Sequence, residues 1–181
     1  VKALVEDAKT NSLRDVALHY GKAEWMELVA KTGVPASVPG DTPDIERANY
    51  VRALRDRLFA SVPTAVIQRM IGTAGETPIA DPVLRGGVVT FLNNQGEAFD
   101  LKTMSVCAAF KQEKAFDGIA PELQEGVKAE LKTLQRVAAI SPVAEAIPVL
   151  MNAGLHTAFQ VSEMPEAQFV RAFKDQLGDN G

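Results

Sequence analysis

Apolar side chains recur along this sequence at intervals of three and four, in runs punctuated by glycine and proline. Almost no stretch alternates with the period of two that a half-buried strand requires, so the pattern predicts an all-α chain. Ser12 is placed to cap a short helix ending near Tyr20 and Gly21. A second helix spans Lys22 to Thr32, with Trp25, Leu28 and Val29 on its apolar side and Gly33 as its stop. VPASVPGDTP, with three prolines in ten residues, is a loop. Asp41 or Thr42 then caps a long helix with Pro43 in its first turn. Asp44 and Glu46 suit the positive end of its dipole, and Tyr50, Val51, Leu54 and Leu58 form its apolar face.

Ser61 and Pro63 interrupt that helix, and Val66, Ile67, Met70 and Ile71 supply the face of another. GTAGETPIADP is a second loop. Pro82 to Asn94 reads as helix despite Gly86 and Gly87, with a partly extended path through VVTFL as the alternative. Gly96 to Gly118 carries Phe99, Phe110 and Phe116 without a sustained period and yields no element. Pro121 opens a long helix through Ile140, with Leu123, Val127, Leu131, Leu134 and Val137 or Ala138 along one side. Ser141 and Pro142 are expected to start the next helix as cap and first residue, and Gly154 to end it. LHTAFQVSEM forms a short turn or helix. Pro165 begins the last helix, which Phe169, Phe173 and Leu177 line and Gly178 closes. Trp25, Leu54, Leu58, Leu134, Phe169 and Phe173 are the expected core.

The two ends of the chain read as one element written twice. SLRDVALHYGKAEWMELVAKTGV from Ser12 aligns without a gap on TLQRVAAISPVAEAIPVLMNAGL from Thr133. After a small change in loop length, YVRALRDRL from Tyr50 lies over FVRAFKDQL from Phe169. The expected organisation is a helical array: a first helix-turn-helix module over residues 1–60, connecting helices and loops over 61–120, and a similar second module over 121–181. Leu13 with Leu134, and Val51 with Val170, should then occupy equivalent core sites. Repeats are built to stack on one another, which favours a scaffold over a catalytic centre.

Composition narrows the function classes. With 19 basic and 23 acidic residues the net charge is -4, which argues against a general nucleic-acid binder. No apolar run approaches the roughly 20 residues of a membrane helix, so direct membrane insertion is not expected. A start at Val1 reads as one compact piece of a larger protein. Cys107 is the only cysteine, which excludes an internal disulfide and a cysteine-based zinc cluster. In the apolar SVCAAF it is expected to be a small buried hydrophobe. His19 and His156 lack an Asp, Glu or Cys at ligand spacing and read as capping or surface residues.

NNQGEAFD concentrates oxygen atoms around Gly96 but fails as a calcium loop, because the positions counted back from that glycine are Phe91, Asn93 and Gln95. Gly86 and Gly87 lack the spacing of a phosphate loop, and no GxSxG, HExxH or paired-carboxylate motif is present. No catalytic, cofactor-binding or metal-ligating residue is nominated, no cofactor is implied, and an enzyme is not expected. The alternative is VLMNAGLHTAFQVSEMPEAQFVRAF, two helices around Gly154 in the manner of a helix-hairpin-helix module binding nucleic acid or protein. It has one glycine where such modules carry Gly-x-Gly, and few nearby cations.

LKTLQRVAAISPVAEAIPVLMNAGLHTAFQVSEMPEAQFVRAFKDQLG resembles the amino-terminal helical region of toxin-complex (Tc) insecticidal toxin A subunits and the related Salmonella plasmid virulence A protein family. Upstream, AEWMELV, YVRALRDRLFASVPT and FLNNQGEAFDL are similar to that family's spaced hydrophobic elements, so the resemblance covers most of the chain from Leu13 to Gly178. It implies a large multidomain protein that forms an oligomeric pore and translocation shell and delivers a separate toxic enzyme. This chain would be a non-enzymatic structural module of the α-helical shell, distinct from the pore helices. Its partners would be the remainder of the parent chain and other protomers, without nucleic acid. The parent would be secreted or held on a bacterial cell surface. The matching positions are core and turn residues, so no catalytic residue carries over.

Overall fold

The computed structural model describes residues 12–177, and every regular element among them is helical. Gly178, the expected end of the last helix, lies outside the described residues. The chain divides into two compact units between Met70 and Ile71. Residues 61–70 therefore belong to the first unit and the rest of the connecting segment to the second.

The first unit holds α1 (Leu13–His19), α2 (Lys22–Thr32), α3 (Pro43–Ser61) and most of α4 (Pro63–Gly72). Local chemistry sets each start. The Ser12 hydroxyl accepts the Asp15 N–H at 3.1 Å, and the Glu24 carboxylate accepts the Gly21 N–H at 2.8 Å. Thr42, rather than Asp41, caps α3 by accepting the Ile45 N–H at 3.3 Å. α3 packs on both α1 and α2. It buries Val51, Leu58 and Phe59, while α1 and α2 bury Val16, Ala17, Trp25 and Val29. Tyr20 and Trp25 bring their rings within 5.4 Å of each other, and the buried Trp25 indole N–H has no hydrogen-bond partner among the described residues. Leu54, expected in the core, is only half-buried.

In the second unit, α5 (Pro82–Gln95) crosses α7 (Gln124–Ile140), which is led in by a 3-10 turn over Pro121–Leu123. Asp81 selects helix over the extended alternative: its carboxylate accepts the N–H groups of Val83 and Leu84, and Pro82 occupies the first turn. Gly87 lies at the crossing, where an added Cβ would meet Val127 Cγ2 at 2.5 Å. The segment that shows no period folds around an aromatic cluster in which Phe91 contacts Phe99, Phe110 and Phe116 at 6.5, 5.5 and 5.4 Å. One turn of helix, α6 (Val106–Ala109), lies against α7. Gln135 fastens this region to α7, donating to the carbonyls of Leu101, at 2.9 Å, and Met104 while accepting the Val106 N–H at 3.3 Å.

The remaining helices are α8 (Ala146–Asn152), α9 (Ala158–Ser162) and α10 (Glu166–Leu177). The expectation that Ser141 and Pro142 open α8 is corrected. The Ser141 hydroxyl is buried and donates back to the Val137 carbonyl at 2.7 Å, finishing α7, and α8 begins only at Ala146. A serine hydroxyl facing the carbonyl four residues earlier has no use for the next helix.

The two ends run through helices in the same order, and Gly33 and Gly154 end corresponding helices at φ 84 and φ 72. Val16 and Val137, Val29 and Leu150, and Leu58 and Leu177 are buried in both. Two pairs depart from the expected equivalence: Leu13 is 58% exposed against 0% for Leu134, and Val170 is 39% exposed against 2% for Val51. Leu13 is the first residue of α1, whereas Leu134 sits in the middle of the longer α7, and α9 has no counterpart in the first unit.

Candidate functional site: an apolar groove in the second unit

The chain turns sharply after α8. Gly154, in the left-handed region, donates to the Met151 carbonyl and Leu155 donates to the Leu150 carbonyl at 2.9 Å, the paired bonds of a Schellman cap. Pro148 is tolerated in α8 because it lies in the first turn, where its missing N–H has no helical partner to lose. Thr157 then caps α9, which lasts five residues, and α10 returns against α8.

This short-helix path leaves a groove of about 280 Å³. Ile140, the last residue of α7, and Pro142 beyond it wall one side, Ala146 and Leu150 come from α8, Ala158, Val161 and Ser162 from α9, and Phe169 and Leu177 from α10. The two alanines stand where larger side chains would fill the gap. Ser162, the one polar residue in the wall, donates its hydroxyl to the Phe159 carbonyl at 2.8 Å. Phe169, expected in the core, is half-buried at the groove, its ring tilted against that of the buried Phe173 at 4.9 Å. Phe159, on α9, is 71% exposed.

Among the described residues no charged group lines the groove, which offers an apolar contact surface. Of the other large exposed apolar residues, Val170 shares α10 with Phe169, Val83 lies on α5 and Met104 precedes α6, while Leu13 and Ile45 belong to the first unit.

The residues singled out in the sequence do not converge here. Cys107 is exposed on α6, contrary to the expected burial, because a single helical turn gives its inward positions to Val106 and Ala109. His19 ends α1 with its ring nitrogen 2.8 Å from the Asp15 carbonyl. His156 sits 3.3 Å from the Met151 carbonyl. Among the described residues, no three His, Cys, Asp or Glu side chains are grouped as metal ligands. At the turn that the helix-hairpin-helix alternative invokes, the His156 N–H donates to the Gln160 side chain and the Gln160 N–H to the Thr157 hydroxyl. No described helix is long and apolar enough to cross a membrane.

Sequence reasoning misses the groove. Phe169 and Leu177 stand out in the period of the last helix, but the period assigns them to a closed core, and nothing in it marks the alanines, the proline and the helix ends that leave the gap. No protein-family model, no curated protein and no solved structure matches the chain.

Proposed function

We propose that the chain is a non-enzymatic structural module of the α-helical shell of a large toxin-complex-like protein, and that it works by holding further helices of that protein against the groove between α8, α9 and α10. The observation that carries this reading is the uncharged lining of the groove beside the exposed Phe159. Such a surface gains free energy when a partner's apolar side chains cover it, at roughly 25 cal/mol per Å² removed from water. The all-helical fold is also what a shell module requires. The parent protein would be secreted or carried on a bacterial surface.

A cysteine placed in the groove tests this. In a Cys107→Ala background, Ser162→Cys is labelled with a bifunctional cross-linker in the full-length parent polypeptide. Cross-links to helices outside residues 1–181 are expected. A cysteine as accessible to thiol reagents in the parent as in the isolated chain, with no such cross-links, would overturn the reading.

A further inference from the structure

On the solvent side of α7, Lys128, Lys132 and Arg136 follow one another at four-residue spacing, which stacks them about 6 Å apart along one line. Two of these cations are held in place. Lys128 Nζ lies 5.1 Å from the centre of the Phe116 ring and Lys132 Nζ lies 6.0 Å from that of Phe110, and the two rings contact each other at 5.8 Å. Both rings are only half-buried, so they hold the ammonium groups at the surface.

Neutralisation along the line is uneven. Lys128 pairs with Glu125 at 2.7 Å. Lys132 and Arg136 are exposed and have no carboxylate at ion-pair distance among the described residues; Arg136 donates only to the Thr133 hydroxyl, at 3.2 Å. The stretch joining the two rings adds exposed Lys111 and Lys114, with Glu113 among them and Asp117 just beyond. A chain of net charge -4 thus keeps a linear set of positive charges on one helix face, two of them without an ion-pair partner among the described residues.

We infer that this face docks an acidic helix of a partner protein, one with Asp or Glu on successive turns lying along α7. The inference rests on the reading of the chain as a protein-contact module and identifies a second contact surface beside the groove. The spacing matches carboxylates one turn apart on a facing helix. An extended polyphosphate fits less well, because the line covers only about 12 Å and is bordered by Glu113, Asp117 and Glu125. The chain's net charge and those carboxylates repel the dense charge of a polyphosphate more than they repel a helix with one carboxylate per turn.

The test titrates the isotope-labelled full chain with two synthetic helical peptides that differ only in carrying Glu or Gln at three positions four residues apart. NMR shifts confined to residues 110–116 and 124–136 are expected with the Glu peptide, weakening steeply toward about 0.5 M salt. The Gln peptide should bind about tenfold more weakly. Lys132→Glu combined with Arg136→Glu should abolish binding of the Glu peptide and create binding of a third peptide with Lys at the same positions. Equal binding of the Glu and Gln peptides, shifts elsewhere, or tighter binding of a single-stranded oligonucleotide to this face would overturn the inference. The same double variant leaves the Ser162→Cys cross-links untouched, so failure here is distinct from failure at the groove.

Discussion

Adjacent glycines in α5 meet opposite surroundings. Gly86 is exposed, and a methyl group added there would have nothing within 4 Å, whereas a Cβ on Gly87 would strike Val127, whose branched side chain has little freedom to turn away. Gly86→Ala should therefore stabilise the protein by about 0.5–1 kcal/mol through helix propensity. Gly87→Ala should destabilise it by roughly 1–3 kcal/mol through overpacking, despite the same propensity gain. Denaturant unfolding of the two variants checks the opposite signs. At Glu125, the hydrogen bond from Lys128, then that lysine's charge and the more distant charge of Lys132, hold the carboxyl below the ordinary glutamate range. A depressed folded-state value means that the pair contributes stability above the unfolded pKa of about 4.3 and loses it as pH falls through the folded one. The carboxylate is exposed, so the contribution is small and salt-sensitive. An NMR titration of the Glu125 side chain should show the low midpoint, and Lys128→Met should return it to the ordinary range.

Among the elements, helices with a side-chain cap or a sustained apolar period are legible in the sequence. Ser12 and Thr42 announce their helices by side-chain chemistry that acts over three residues, whereas the cap that Asp81 supplies is seen only in the structure. Burial at a single turn is not legible, as Cys107 demonstrates, because four residues cannot establish a period. Ser141 misleads for a related reason: a serine before a proline has the same appearance whether its hydroxyl serves the helix behind or the helix ahead. The segment from Gly96 to Gly118 is opaque because its order comes from distant residues. Gln135, 31 and 34 residues away from its carbonyl partners, and Asn94, which donates to the carbonyls of Ala115 and Asp117, organise it through side-chain bonds to backbone. Gln135→Leu should raise amide exchange over residues 101–109 while leaving the rest of α7 protected, with a loss of about 1–3 kcal/mol from the unpaired backbone groups. Uniform protection in that variant would show that the aromatic cluster alone orders the segment.

For the whole molecule, the all-α class is readable from periodicity, whereas the groove arises from where helices stop. Its two phenylalanines should behave differently. Phe173→Ala should cost roughly 3–5 kcal/mol, since the ring is enclosed. Phe169→Ala should cost clearly less in the isolated chain, because the groove already leaves that ring half open. Equal losses in thermal or denaturant unfolding would mean that the groove closes in solution.

The Tyr20–Trp25 contact also gives the molecule an optical asymmetry. Trp25 is the only tryptophan, and both tyrosines, Tyr20 and Tyr50, lie in the first unit, so indole fluorescence senses that unit while circular dichroism senses the helices of both. A chain that unfolds in one step must give the same midpoint by both signals. Separated midpoints would instead time the two units individually within a single unlabelled sample.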